Sequence, residues 1–302
     1  MGSQIRFTDV MAGKQWRSYR SNDLGAFENT HKAEITAIHK LTETENLYRI
    51  QIIDPLDRRN FSFHPGQFII LELPGIGEAP FSISSSPSRH GDLELCIRRA
   101  GSLTNFLFRL ERGTRIGIRG PFGTGFPMEK MHGENILLIA GGLGLAPLRG
   151  PIAYVQENRN QFCNVDIIYG TKDPLQLLFT YQYDMWRADD VNLHIIVEKG
   201  NPAWKGPVGM ITQILDEIFQ SREKEYFQKT YAIVCGPPVM FKFVCAMLNE
   251  LNIPMQKMFV SLERRMHCGM AKCCRCNIGS TYICLKGPVF DYWSVMNLKE
   301  AI

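Results

Sequence analysis

The residues with the most chemical reach are four cysteines near one end of the chain, Cys268, Cys273, Cys276 and Cys284, spaced C-x4-C-x2-C-x7-C. Of the nine cysteines in 302 residues, five fall between positions 268 and 284, the fifth being Cys274. An odd total crowded at one end is a poor disulfide framework, and a chain of this length does not need one. A local cluster of thiols reads instead as a metal site. The C-x4-C-x2-C run, with a fourth cysteine further along, has the spacing of plant-type [2Fe–2S] ligation. Gly269 and Gly279 allow the tight backbone that turns N–H groups toward sulfur. Zinc is the rival, because four thiolates also satisfy a tetrahedral structural site. Zinc sites usually pair two C-x2-C knuckles, however, and only one short pair is present. Cys274 reads as a bystander.

Three further stretches could bind a ligand. AGGLGLAPLRG (140–150) follows the apolar run ILLIA, and its Gly141, Gly142 and Gly144 would permit positive φ and let backbone N–H groups approach a pyrophosphate at a helix N-terminus. Pro147 suits a first helical turn. The spacing departs from G-x-G-x-x-G, so a packing turn is the competing reading. YAIVCGPPVM (231–240) ends a second apolar run in Cys235-Gly236-Pro237-Pro238, with Pro238 placed to open a helix. Cys235 there is either a ligand contact or a small buried side chain. In APFSISSSP (79–87) and RRAGSLTN (98–105), Phe81 could flank a planar ring and Ser82 could hydrogen-bond to it. Arg98, the N–H groups from Gly101 to Leu103, and Thr104 could grip phosphate. A serine-rich turn and a surface basic pair explain the same residues without a ligand.

The elements that must carry these groups change character along the chain. From about Ala33 to Arg119, short alternating bursts (AEITAIHKL, NLYRIQII, QFIILEL, DLELCIRR, TRIGIRG) suit a small antiparallel barrel, with the turn-like PGIGEAPFSISSSPSRHGD at its rim. After about Met131, ILLIA, VDIIY, LHIIV and YAIVC are fully apolar runs. They alternate with helical spacing at Leu148, Ile152 and Val155, at Ile211, Leu215 and Ile218, and at Met240, Phe243, Val244, Met247, Leu248 and Leu251. Strands buried on both faces between amphipathic helices predict a doubly wound parallel sheet, with MFVSL near 258–262 as its last strand. The expected fold is β plus α/β. It comprises an N-terminal extension (1–30), an antiparallel β-barrel (31–130), a doubly wound domain (131–262) and a cysteine lobe (263–302) too short to hold itself together without metal.

Composition narrows the partners. The 34 basic and 30 acidic side chains leave a net charge of +4, which gives no reason to expect nucleic acid or an anionic membrane. No apolar run approaches the roughly 20 residues of a bilayer span, and no secretory signal is readable at the start, so a soluble cytoplasmic protein is expected. The pieces also explain one another. A nicotinamide gives up two electrons as a hydride and a [2Fe–2S] cluster takes one, so a flavin between them would convert one exchange into the other.

In this order the motifs resemble the ferredoxin–NADP reductase superfamily, over roughly residues 33–302. The close likeness is to its flavin and iron–sulfur branch, which holds the γ subunits of soluble NAD(P)-linked hydrogenases, the electron-transfer subunit of dihydroorotate dehydrogenase and the B subunit of anaerobic sulfite reductase. HPGQF (64–68), GEAPFSISSSP (77–87), GPFGTGFP (120–127), AGGLGLAPLRG, YGTKDPLQLLF (169–179), CGPP, ERRMHCGMAKCCRCNIG (263–279) and ICLKGPVF (283–290) match in order. The resemblance implies FAD held by Ala79, Pro80, Phe81, Ser82, Cys96, Ile97, Arg98, Gly101, Leu103 and Thr104, with Phe81 and Ser82 flanking the reacting ring. It implies NAD(P) at Gly141, Gly142, Gly144, Ala146, Pro147, Cys235, Gly236 and Pro237, and a [2Fe–2S] cluster on Cys268, Cys273, Cys276 and Cys284.

Two departures stand out: Ala79 and Phe81 replace the Arg and Tyr of Arg-x-Tyr-Ser, which loads more onto Arg98 or Arg99. Ala271 and Cys274 occupy positions where glycine is frequent. The implied function is that of an NAD(P)H-dependent diaphorase subunit passing electrons to partner redox subunits. The tail GPVFDYWSVMNLKEAI is most like the hydrogenase group, and the first 30 residues read as a docking arm. Lys172 and Arg149 could each reach a 2′-phosphate, or either could simply be solvated surface. The reading of a different class is a zinc-stabilised binding module without catalysis.

Overall fold

Alternating apolar residues pair the first half of the chain into one sheet. The computed structural model describes residues 29–298, so the docking-arm reading lies, up to residue 28, outside the described residues. Six antiparallel strands, β1 (His31–Lys40), β2 (Glu45–Ile52), β3 (Phe68–Leu73), β4 (Gly77–Ser82), β5 (Asp92–Arg98) and β6 (Arg115–Phe122), lie in the order β4-β3-β6-β1-β2-β5. The edge strands β4 and β5 meet, and the Ser84 N–H just past β4 donates to Glu94 O at 2.8 Å, so the sheet curls into the expected barrel. Ile35, Ile50, Ile69, Leu95 and Ile118 fill its interior. One correction concerns the rim: residues 77–82, expected as turn, form strand β4 along β3. Pro80 is tolerated there because an edge strand has one side free of ladder hydrogen bonds. Helix α1 (Ser102–Leu107) follows β5.

The second sheet holds β7 (Asn135–Gly141), β8 (Val165–Thr171), β9 (Asn192–Val197), β10 (Thr230–Cys235) and β11 (Met258–Ser261), followed by the short hairpin β12 (Asn277–Ile278) and β13 (Thr281–Tyr282), and by β14 (Val289–Asp291). The order β14-β11-β10-β7-β8-β9 is parallel throughout except for β14, which runs antiparallel to β11. The cysteine segment therefore returns its own strand to the sheet, and β11 is the last parallel strand but not the edge. Ile278, Ile283, Phe290 and Val295 also join the main core, so apolar burial as well as any metal holds the lobe.

Helix α2 (Leu145–Glu157) covers one face of this sheet with Leu148, Ile152 and Val155; α3 (Ile211–Gln220) and α4 (Pro238–Glu250) cover the other. On α4 the buried stripe is Phe241, Val244, Cys245 and Leu248, whereas Phe243 is 57% exposed. The one-residue offset arises because a short apolar helix fits several 3.6-period stripes and packing against β10 selects one.

The two halves are joined by a buried charge cluster. Arg149 on α2 donates to Glu94 Oε2 at 2.6 Å, to Ser84 O at 3.0 Å and, through Nε, to Gln182 at 2.7 Å, with its guanidinium over the Phe179 ring. Arg49 and Arg89 reach the other oxygen of Glu94 at 3.0 and 3.2 Å. Burial opposes the charge on Glu94, but Arg149, Arg49 and Arg89 outweigh it and hold its carboxyl below the ordinary range. The serine run contributes too: Ser86 and Ser88 donate to Glu157 at 2.7 and 2.9 Å. Glu94→Gln should cost about 3 kcal/mol in urea unfolding at neutral pH, because it leaves three arginines short of a carboxylate. A carboxyl with a depressed folded pKa stabilises above its unfolded value and loses that contribution as pH falls through the folded one. The difference between variant and parent should therefore shrink below about pH 4.5.

Candidate functional site

Three groups of side chains converge where the barrel, the parallel sheet and the cysteine segment touch. In the barrel, Ala79, Pro80, Phe81 and Ser82 lie half-buried on β4, beside the end of β5 that carries Arg98. Leu103 on α1 approaches Gly77 at the start of β4, and the ground beside Gly101 is open. Arg98 is fixed by an ion pair with Glu45, which also accepts from Thr42 and Thr44. Burial disfavours that carboxylate, yet hydrogen bonds from Thr42, Arg98 and Thr44 keep its pKa below the usual value. The Thr104 hydroxyl is committed to its own loop, accepting from the N–H groups of Ala100 and Gly101 at 2.9 Å each. Cys96 and Ile97 turn their side chains into packed protein, Cys96 toward the second domain and Ile97 into the barrel, and both residues are buried in the β2–β5 ladder. Burial pushes the Cys96 thiol up to about 12.

The two glycine turns, more than 90 residues apart in sequence, form one surface. β7 and β10 are neighbours, with Ala140 opposite Cys235. The chain runs outward from β7 through β8 to β9 and then crosses to β10 on the other side of β7, so both turns lie at the switch point of the sheet, where open α/β sheets bind ligands. Of the three glycines, only Gly142 has positive φ, at +53°. Gly144 is glycine for a different reason: a Cβ there would land on the carbonyl of Cys235. A Cβ on Gly141 would meet Met240 Sδ at 2.6 Å. Ala146 and Pro147 are buried in the first turn of α2, and Pro237 precedes α4, whose first residue is Pro238. The Cys235 side chain is buried and its thiol is pushed up by burial, so the strand end offers backbone, not sulfur. Arg149 is spent on the domain clasp rather than left for a 2′-phosphate; Lys172 lies exposed just past β8.

The four cysteines lie as two pairs. Cys276 and Cys284 are buried with their sulfurs 3.2 Å apart. Cys268 Sγ accepts the backbone N–H groups of Lys272 at 3.2 Å and of Cys273 at 3.3 Å, and Cys284 Sγ accepts that of Ala271 at 3.1 Å. Although burial opposes it, backbone hydrogen bonds at Cys268, Arg275 and His267 hold the Cys273 thiol below its ordinary value. Among the described residues no three His, Cys, Asp or Glu side chains gather around one point. A bridged two-iron cluster takes two thiolates on each iron, whereas zinc draws four to one ion. Gly269, Ala271 and Cys274 all have positive φ, at 75°, 59° and 55°. This explains why glycine suits the two positions at which this chain carries Ala271 and Cys274. Cys274 is exposed and accepts the Tyr282 hydroxyl at 3.4 Å.

What sequence reasoning missed is the joint between these groups. Ser82 pairs with Phe68 across β3, Phe68 pairs with Phe122 on β6, and the Phe122 ring fills the space a Gly269 Cβ would take. The Thr124 N–H donates to Gly287 O at 2.6 Å and its hydroxyl to Val289 O at 3.0 Å. Gln67 locks the same loop through Gly123 O at 2.7 Å. The motifs HPGQF and GPFGTGFP carried the signal, as two glycine-rich runs without a ligand group of their own.

Comparison with known proteins follows this division. Residues 32–126 match the oxidoreductase FAD-binding domain and residues 138–246 the oxidoreductase NAD-binding domain. The chain is 37% identical over 291 residues to the sulfhydrogenase 2 subunit gamma of Pyrococcus furiosus, covering 90% of this chain and 98% of that one. It is 38% identical over 275 residues to the sulfhydrogenase 1 subunit gamma of the same organism, covering 88% and 92%. A probable dihydroorotate dehydrogenase B (NAD(+)) electron transfer subunit of Thermococcus kodakarensis is 37% identical over 234 residues, covering 77% and 86%. The fold is shared with a structure described as the NADH-dependent reduced ferredoxin-NADP oxidoreductase, at a TM-score of 0.68 and 22% identity, over 90% of this chain and 94% of that one. The two oxidoreductase domains set aside the reading of a binding module without catalysis.

The glycines separate by their physical causes. Gly142→Ala should cost about 1 kcal/mol of stability, for a left-handed residue in open space. Gly144→Ala must displace the end of β10 and should lower kcat/KM for the nicotinamide nucleotide on the order of 100-fold, measured by dye reduction. Ala271→Gly and Cys274→Gly should each raise stability by about 1 kcal/mol, read as a higher melting temperature.

Proposed function

The chain belongs to the ferredoxin–NADP reductase family of FAD- and NAD-binding oxidoreductases, and on that premise we propose that it is the diaphorase subunit of a hydrogenase-type complex, holding FAD and a [2Fe–2S] cluster. The observation that carries this reading is the contiguity of Ser82, Phe68, Phe122 and Gly269, which sets the candidate flavin strand and the cysteine segment on either side of two aromatic rings whose centroids are 5.8 Å apart. The gamma-subunit relatives, matched over nearly their whole length, support the hydrogenase-type assignment over the dihydroorotate dehydrogenase type. When bound, the flavin exchanges a hydride with the nicotinamide and single electrons with the cluster.

The residues present fit these groups. Phe81 would pack against the flavin ring and Ser82 would donate a hydrogen bond to it. Arg98, braced by Glu45, and the open start of α1 at Gly101 would receive the flavin phosphates. The glycine surface at Gly141, Gly142, Gly144 and Gly236 lets the dinucleotide lie against backbone, where a larger residue would collide with Met240 or Cys235. Cys268, Cys273, Cys276 and Cys284 would hold the cluster, with the N–H groups of Ala271, Lys272 and Cys273 on the sulfurs. These N–H groups stabilise thiolate charge and tune the potential. No side-chain acid or base is required; the protein aligns the reactants and excludes water.

Anaerobically purified protein should show flavin bands over broad cluster absorption, both bleached by NADH or NADPH. Cys276→Ser should remove the cluster absorption and electron delivery to protein acceptors while the flavin is still reduced by nucleotide. A colourless chain carrying zinc would overturn the proposal.

A further inference from the structure

The joint between the two halves holds a second polar cavity, of about 310 Å³, lined by Ser84, Arg89 and Glu94 of the barrel and by Arg149, Glu157 and Gln182 of the second domain. Its floor is buried, at Ser84, Glu94 and Arg149, and its mouth is exposed, at Arg89 and Glu157. Leu145 opens α2 beside the glycine turn and Glu157 closes it, about 18 Å away at 1.5 Å per residue, so the mouth is remote from the dinucleotide surface. The cavity is rich in donors that bond to nothing. Glu94 already accepts from Arg49, Arg89 and Arg149, and Glu157 accepts from Ser86 and Ser88, so both carboxylates are occupied. A guanidinium carries five N–H groups. Arg149 uses only its Nε and Nη1, and Arg89 only its Nη1. Among the described residues, Nη2 of Arg149 and both Nε and Nη2 of Arg89 donate to no protein group. The hydroxyl of Ser84 is buried and has no hydrogen-bond partner either, which is uncommon for a buried polar group. Three arginines, Arg49, Arg89 and Arg149, stand here against two carboxylates, Glu94 and Glu157. Surplus donors and surplus positive charge together call for an acceptor that carries negative charge.

We propose that this cavity binds a small oxyanion, a carboxylate or a phosphate, gripped by Ser84 and Arg89 from the barrel and by Arg149 from the second domain. The site stands apart from the diaphorase reading, since it uses no residue placed above at the flavin, the dinucleotide or the cluster. Guanidinium groups meet carboxylate and phosphate oxygens with the same planar fork, so the donor set suits either anion. A volume near the lower end of ligand cavities admits a small anion and not a dinucleotide. A cation is disfavoured because the two carboxylates are already taken by arginine and serine donors. A ligand that touches both halves at once stabilises the clasped placement of the domains over any other.

The test uses the full-length protein with its flavin and iron content measured, in chloride buffer at fixed ionic strength. It is titrated by calorimetry with inorganic phosphate and, separately, with succinate. At least one should bind in a single saturable step at concentrations up to about 10 mM and raise the melting temperature as its concentration rises. Binding of phosphate alone marks a phosphate site, and binding of succinate alone a carboxylate site. The affinity should be unchanged when NAD(P)⁺ is present at saturation. Ser84→Ala and Arg89→Gln should each weaken it on the order of 10-fold. Ser84→Ala should not lower the melting temperature of the anion-free protein, because it removes a hydroxyl that bonds to no protein group. Failure of both anions to bind overturns the proposal. So does binding that NAD(P)⁺ displaces, or binding that both variants keep at the parent's strength.

Discussion

The packing of Phe122 against Gly269 is the constraint on which the functional arrangement depends. A side chain larger than hydrogen at 269 would collide with the ring, and the same loop is tied by Thr124 to the backbone at 287 and 289. These contacts fix the cysteine segment onto the open end of the barrel strands rather than leaving it as an appendage of the parallel sheet. Since β3 carries Phe68 between Phe122 and Ser82, the distance from the candidate flavin strand to the cysteines is set by β-sheet spacing, which thermal motion hardly changes. Electron exchange needs that rigidity more than it needs any single catalytic side chain.

The second fixed relation is between the barrel and the dinucleotide domain. Interfaces between domains are ordinarily mobile. Here Glu94 is buried among three arginines, and one of them, Arg149, projects from the helix that begins at the glycine turn. A charged clasp of this kind is weak evidence for net stability, because desolvation offsets much of the attraction. Its contribution is directional: the guanidinium can satisfy Glu94, Ser84 and Gln182 together in only one relative placement of the two halves. A Cβ on Gly150, the residue after Arg149 on the same helix, would lie 3.4 Å from Ser85 O, so the helix packs closely on the barrel there.

The cysteine loop carries strain that the sequence could relieve. Two non-glycine residues, Ala271 and Cys274, sit in left-handed backbone, each at a cost of roughly 1 kcal/mol. The conformation persists because it aims the N–H groups of Ala271, Lys272 and Cys273 at sulfur. Strain of this type concentrates at functional loops, where the surroundings over-determine the backbone.

Local pattern was enough to establish the two sheet types, the cysteine spacing and the order of the motifs, because alternation, apolar runs and ligand spacing are properties of neighbouring residues. The five bursts expected of the barrel are strands, and ILLIA, VDIIY, LHIIV and YAIVC are the parallel core. Strand β4 was hidden because Gly77, Pro80 and Ser82 sit in a Gly-, Pro- and Ser-rich stretch that reads as turn, and only pairing with β3 makes it a strand. Phe243 was placed in the core because one short helix fits more than one stripe. Arg149 reads in the sequence as a cation free for a 2′-phosphate or for solvent, because nothing local reveals that Glu94, 55 positions away, waits for it in the interface. The sequence by itself determined which chemistries the chain can hold. Only the tertiary structure decided that the candidate flavin strand, the paired glycine turns and the cysteines share one junction, since that depends on contacts between residues tens to hundreds of positions apart, which no local periodicity encodes.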